Sequence, residues 1–230
     1  MTHSQVIAID GPSGSGKSTV AREVAKNLSL LYVDTGAMFR ALGYALDRLK
    51  IEFVEGPELR RFLEEVKFNY GESEQVLVRV NGEDFTAKIR EHHVSSLASN
   101  ISKLKSVRDF LLTFQRELAK KKVCVMEGRD IGTVVFPDAF CKIFVTAQLE
   151  IRAKRRFDQL LLQGQKDVHF ATILADVKDR DEKDTNRAIA PLKQASDAVF
   201  LDSSSLSEKE VIEEIRRICF EKAKAVGINL

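Results

Sequence analysis

The sequence is poor in the residues that build disulfide frameworks and metal centres. Its three cysteines, Cys124, Cys141 and Cys219, are odd in number and have no metal-ligand spacing, which argues for a reducing compartment. Cys124 and Cys141 lie in or beside apolar runs, where a free thiol behaves as a small buried hydrophobe. There are four histidines, His3, His92, His93 and His169. Only His92-His93 are adjacent, and helical neighbours point about 100° apart rather than toward one ion. All four are expected at the surface. No apolar stretch approaches the roughly 20 residues of a membrane span. The first strand-like run begins within a few residues of the start, so no signal peptide is expected and a cytoplasmic location is the default. A net charge of +2 is too small to argue for nucleic acid or an anionic membrane. The basic run Lys120-Lys121-Lys122 fits the solvated end of a helix. Internal repeats and low-complexity linkers are also missing.

What is present is concentrated at residues 11–19, Gly-Pro-Ser-Gly-Ser-Gly-Lys-Ser-Thr. Gly11 and Gly16-Lys17-Ser18 fit the phosphate-binding pattern G-x-x-x-x-G-K-[ST]. The apolar run 5–10 before it suits a buried strand, and Val20, Val24 and Leu28 after it form a helical stripe. Glycines let backbone N–H groups converge on an anion, and a helix start adds favourable partial charge. Gly11, Pro12, Ser13, Gly14, Ser15, Gly16, Lys17, Ser18 and Thr19 are therefore expected to bind ATP. Lys17 would reach the β- and γ-phosphates, and the Ser18 hydroxyl would ligate Mg²⁺.

Short apolar runs recur at 31–33, 123–126, 143–145 and 199–201, separated by longer amphipathic segments. With 5–10 they make five strands of an α/β fold, a parallel sheet covered by helices, with ligands at the strands' carboxyl ends. Asp10, Asp34, Glu127 and Asp202 sit at those ends. A capping box at Ser207-Glu208-Lys209-Glu210 opens the last helix, which stops near Gly227. Two stretches break the rhythm. Residues 67–87 carry strand-like runs around Asn81-Gly82, a strong hairpin signal. Residues 150–186 lack a strand-like run and carry Arg152, Lys154, Arg155, Arg156, Lys178, Arg180 and Lys183, with Arg187 just beyond. They suit either a charged helical hairpin over a phosphate site or a salt-bridged solvent face.

Phosphate loops serve GTPases, ATP-driven machines and small-molecule kinases. An Asn-Lys-x-Asp guanine-reading segment is absent. The run 123–126 is followed by Glu127-Gly128-Arg129-Asp130 rather than by the acidic pair of a motor ATPase. Arginine and aspartate beside a triphosphate suit a grip on a second, phosphorylated substrate.

Four segments then occur in order: the phosphate loop, Asp-Thr-Gly-Ala-Met-Phe-Arg at 34–40, Glu-Gly-Arg-Asp-Ile-Gly-Thr-Val-Val-Phe-Pro at 127–137, and Arg-Asp-Glu-Lys-Asp-Thr-Asn-Arg at 180–187. Together they resemble the bacterial cytidylate kinases, which transfer phosphate from ATP to CMP or dCMP. The resemblance spans most of the chain. It implies a P-loop NTPase fold with a five-stranded parallel sheet core, a small antiparallel β insertion in the monophosphate-binding region and a helical lid. The core would take roughly 1–36, 100–150 and 188–230, the monophosphate-binding region roughly 37–99, and the lid roughly 151–187. It also implies ATP and CMP or dCMP as partners, a monomer, and neither nucleic acid nor membrane as a target.

The same resemblance assigns roles residue by residue. Lys17, Arg129, Arg180 and Arg187 would be catalytic. Arg40, Arg129, Arg180 and Arg187 would surround the acceptor phosphate and the transferring group, a task suited to a planar, permanently charged fork. Thr35 would help seat the nucleotide. Ser99, Arg108 and Asp130 would read cytosine, whose amine a carboxylate can accept. Ser99 reads equally as a helix-surface serine. Asp184 would hold the ribose hydroxyls, although at i+4 from Arg180 it also fits a simple helix salt bridge. Two positions depart from the family: Glu127 stands where Asp is usual, and Phe39 where Tyr is common. The alternatives are a kinase for another nucleotide or small phosphorylated acceptor, and a non-catalytic ATP-binding module.

Overall fold

A computed structural model describes residues 3–73, 75–91, 93–120, 122–162, 164–165 and 167–230. His92 and Lys121 lie outside the described residues. In chain order come β1 (Ser4–Asp10), α1 (Lys17–Asn27), β2 (Leu31–Asp34), α2 (Thr35–Arg48) and α3 (Pro57–Glu65). Then follow β3 (Phe68–Tyr70), β4 (Val78–Val80), β5 (Glu83–Asp84), α4 (Val94–Ile101) and α5 (Lys105–Ala119). The chain continues through β6 (Cys124–Gly128), β7 (Ala139–Thr146), α6 (Leu149–Leu162), α7 (Phe170–Asn186), β8 (Val199–Asp202) and α8 (Glu208–Val226). It divides into two compact units, Met1–Val33 with Leu118–Leu230, and Asp34–Glu117.

The first unit holds the five-stranded parallel sheet, in the order β2-β6-β1-β7-β8. β1 lies at the centre, with Ile9 in register with Glu127 on one side and Ile143 on the other. Its residues from Val6 to Asp10 are all buried, the pattern of a strand covered on both faces. Val20 and Val24 of α1 and Val211, Ile215 and Cys219 of α8 repeat every four residues and close on Ile7, Ile9, Ile143 and Val145. α8 opens with the expected capping box, Ser207 Oγ accepting from Glu210 N and Glu210 Oε2 accepting from Ser207 N at 2.8 Å. Gly227, at φ 72°, ends it in the left-handed conformation. Residues 150–186 do form a helical hairpin. α6 and α7 share a small core of Leu160, Ile173 and Val177, with Phe157 edge-on to Phe170.

In the second unit, β3, β4 and β5 form an antiparallel three-stranded sheet. Asn81 and Gly82 make the turn between β4 and β5 with positive φ angles of 51° and 84°, the geometry favoured in two-residue hairpins. Phe68 packs edge-on against Phe114 at 5.1 Å and Phe110 at 6.2 Å. α2 and α4 pack so closely that a Cβ at Gly43 would come 3.1 Å from the Leu97 carbonyl carbon.

The cysteines are free and buried, with Cys141 and Cys219 sulfurs 3.9 Å apart. Burial pushes the Cys124 thiol up to about 12, so it stays protonated and inert. His3, His93 and His169 are exposed, as are Lys120 and Lys122 just beyond α5. Among the described residues, no helix is long and apolar enough to cross a membrane.

Candidate active site

The phosphate loop leaves the carboxyl end of β1 and enters α1 at Lys17. A side chain at Gly11 is excluded outright, because a Cβ there would sit 1.9 Å from the Val145 carbonyl oxygen. Gly14, at φ 74°, lies against α6, and a Cβ would come 2.7 Å from the Arg152 carbonyl oxygen. Pro12 and Ser15 are buried, Ser13, Gly14, Gly16 and Ser18 are half-buried, and Thr19 is exposed. Lys17 is buried. Its Nζ donates to the Pro12 carbonyl at 3.2 Å and lies 3.9 Å from Glu127 Oε2 at the end of β6. Tyr32 of β2 donates to the other Glu127 oxygen at 3.4 Å, so the longer carboxylate is held in place beside the lysine.

When loop N–H groups turn inward, the carbonyls turn outward and need donors of their own. Two arginines, three residues apart on α6, supply them. Arg152 Nη1 donates to the Ser13 carbonyl at 3.1 Å and also pairs with Asp181 of α7, while its Nε donates to the Ala147 carbonyl. Arg155 Nη1 reaches the Ser15 carbonyl at 3.2 Å and Ser203 Oγ at 2.9 Å. The charged face of α6 is therefore spent partly on the loop rather than on solvent.

Next to the loop, Arg129 and Arg187, both half-buried, gather with the buried Asp130 and Asp184 in one cluster. Arg129 Nε donates to Asp184 Oδ2 at 2.9 Å. Arg187 Nη1 lies 3.8 Å from Asp184 Oδ1, and its Nη2 lies 3.7 Å from Asp130 Oδ1. Burial would raise the Asp184 carboxyl, but Arg129, Arg180 and Arg187 together hold it below its ordinary value. Burial likewise opposes the Arg129 charge, and Asp184, with Glu127 and Asp181, more than restores it. The segment 180–187 is helical only to Asn186: Arg187 leaves α7 with ψ 141° and donates to the Ala190 carbonyl at 2.5 Å. Asp184 therefore does more than the i+4 partnership within α7 that its spacing allowed.

Asp10 was legible only as a polar strand end, yet it holds the segment that follows Arg129 and Asp130. Its carboxylate accepts from the N–H groups of Ile131 at 2.9 Å and Gly132 at 2.8 Å. Burial pushes this carboxyl up to about 7 against the pull of those two hydrogen bonds.

The second unit carries the other residues of interest. Asp34 caps α2 by accepting from Ala37 N at 2.8 Å, and it takes Arg40 Nη2 at 3.0 Å. Thr35 is buried in the first turn of α2. Arg108 is buried, donates to the Ser102 carbonyl at 3.0 Å and lies over the Phe39 ring at 5.5 Å. Phe39, the departure from tyrosine, thus serves as a cation–π platform for which the ring alone suffices. Ser99 is half-buried on α4, and its carbonyl accepts from Ser102 Oγ.

A glycine loop running from a central parallel strand into a helix, with a buried lysine, defines a P-loop nucleotide-binding fold. The cytidylate kinase profile matches residues 7–221, and the chain belongs to the cytidylate kinase family. Among its relatives, the cytidylate kinase of Thermosipho melanesiensis is 44% identical over 95% of this chain and 98% of its own length. That of Shouchella clausii is 44% identical over 95% of this chain and 97% of its own. A bifunctional pantoate ligase/cytidylate kinase of Prochlorococcus marinus is 43% identical over 95% of this chain, which spans only 43% of that longer relative.

Proposed function

We propose that the protein transfers the γ-phosphate of ATP to CMP or dCMP, giving ADP and CDP or dCDP. The observation that supports this best is the largely buried Arg129–Asp184–Arg187–Asp130 cluster beside a phosphate loop, in a chain of this family. Permanent cations set in a water-poor site suit a phosphoryl group carrying several negative charges in flight.

The loop residues 11–19 bind the ATP phosphates, with Lys17 stabilising charge that moves toward the β–γ bridge. Mg²⁺ takes hard oxygen ligands and is held largely by substrate phosphates, and the Ser18 hydroxyl, one residue past Lys17, is an oxygen of that kind. When bound, the ion neutralises charge across the β- and γ-phosphates. Arg40, Arg129, Arg180 and Arg187 hold the acceptor phosphate and the transferring group. Asp184 takes the ribose hydroxyls, Thr35 seats the nucleotide, and Ser99, Arg108 and Asp130 read the base. The acceptor phosphate is mostly deprotonated near neutral pH, with its second pKa of about 6, so no general base is needed.

We take the region roughly 37–99 as the acceptor-binding part, roughly 151–187 as the lid and the rest as the core. The lid excludes water that would otherwise hydrolyse ATP. We also take the protein to be a cytoplasmic monomer acting on small nucleotides, not on nucleic acid or membranes. Incubation with ATP, Mg²⁺ and CMP, followed by chromatography of the nucleotides, tests the reaction. CDP and ADP should appear in equal amounts; ADP without CDP would leave only an ATPase or a binding module.

A further inference from the structure

Asp10 touches both ends of the dipeptide Arg129-Asp130. Its main chain lies in register with Gly128, the last residue of β6. Its carboxylate then reaches across the dipeptide to the N–H groups of Ile131 and Gly132. Beyond that grip the chain makes a single π-helical turn, Ile131–Val135, in which Val134 N and Val135 N both donate to the Asp130 carbonyl at 2.9 and 3.2 Å. Lys142 lies behind the turn, close enough that a Cβ at Gly132 would meet its Cδ at 3.1 Å. Arg129 and Asp130 therefore sit on a short span whose exit is fixed by one carboxylate.

We propose that Asp10 is a positioning residue for acceptor selection, setting where Asp130 and Arg129 meet the acceptor nucleotide without touching it. The inference rests on Asp130 reading cytosine. Both carboxylate oxygens are used as acceptors. Asparagine would keep one and turn an NH₂ toward the other N–H, so donor would face donor and the span would shift.

The test is the ratio of kcat/KM for CMP to that for UMP, in wild type and in Asp10→Asn, with KM for ATP measured alongside. This ratio does not depend on the fraction of enzyme that is folded. A misplacement of about 1 Å can cost about 10²-fold in rate, so the ratio should fall by about that factor while KM for ATP stays nearly constant. Asp10→Glu, which keeps the charge one methylene too far out, should lower the ratio less. It carries the test if Asp10→Asn yields no active protein. A variant that loses turnover or melting temperature but keeps the wild-type ratio would overturn the proposal, since a purely structural role predicts that pattern. A wild-type enzyme indifferent to the base would overturn instead the reading of Asp130, and this inference with it.

Discussion

Arg129 and Asp184, 55 residues apart in the chain, meet through a single Nε–Oδ2 hydrogen bond of 2.9 Å, with Asp184 buried and Arg129 half-buried. Asp184 also faces Arg187, so one carboxylate keeps mutually repelling guanidinium groups together before any substrate supplies negative charge. Breaking a buried pair from one side costs about 3–5 kcal/mol, because the remaining charge is left uncompensated. Asp184→Ala should therefore lower the melting temperature clearly, and CMP should protect the variant less than wild type, because the ribose contact goes with the carboxylate. Thermal melts with and without CMP check both halves.

Lys17→Ala should lower turnover by at least the ~10²–10³-fold typical of losing one preorganised electrostatic donor. CMP affinity should barely change, because Lys17 serves the donor phosphates. Steady-state kinetics and CMP titration of the variant separate the two quantities, and near-normal turnover would remove Lys17 from the chemistry.

Much of this was legible locally. The loop at 11–19, the Asn81-Gly82 turn and the Ser207–Glu210 box each depend on residues within one turn of each other, so short-range sterics and hydrogen bonding declare them. The five apolar runs marked the sheet for the same reason. What stayed hidden was tertiary. Nothing near Asp10 in sequence reveals that it grips Ile131 and Gly132, 121 and 122 residues away. Arg152 and Arg155 fitted a phosphate-site hairpin or a solvent face equally well, because their partners Ser13 and Ser15 are 139 and 140 residues distant. Nor does local sequence reveal that α7 ends at Asn186, so that Arg187 leaves the helix and faces Asp130 and Asp184.

The arginines of α6 supply a third prediction. Arg155→Lys keeps the charge but loses the fork that reaches both Ser15 and Ser203. KM for ATP should rise by about tenfold, the equivalent of one charge-assisted hydrogen bond, with KM for CMP much less affected. Equal rises in both constants would mean that α6 does not act through the loop.

The pH dependence of stability gives a fourth. Asp10 in the folded chain is pushed up to about 7 from an ordinary 3.8, chiefly by burial. Between those values the folded chain holds a proton that the unfolded chain has released, so this group's contribution falls as pH rises from about 4 to about 7 and then levels off. Asp184 is shifted the opposite way, so its stabilisation is lost only as pH falls below 3.8, outside that window. Melting temperatures at pH 5, 6, 7 and 8 should show wild type losing ground to Asp10→Asn up to about pH 7 and little further by pH 8. Parallel curves would contradict the assignment.

The most direct measurement is ADP release in a coupled assay, with ATP and Mg²⁺ and a panel of CMP, dCMP, UMP, AMP and GMP as acceptors. The account predicts turnover with CMP and dCMP. It predicts that UMP is rejected by up to ~10⁴–10⁵ in kcat/KM, because its carbonyl would face the Asp130 carboxylate where cytosine offers an amine. ADP release that does not respond to CMP, or that proceeds as well with UMP, would contradict it.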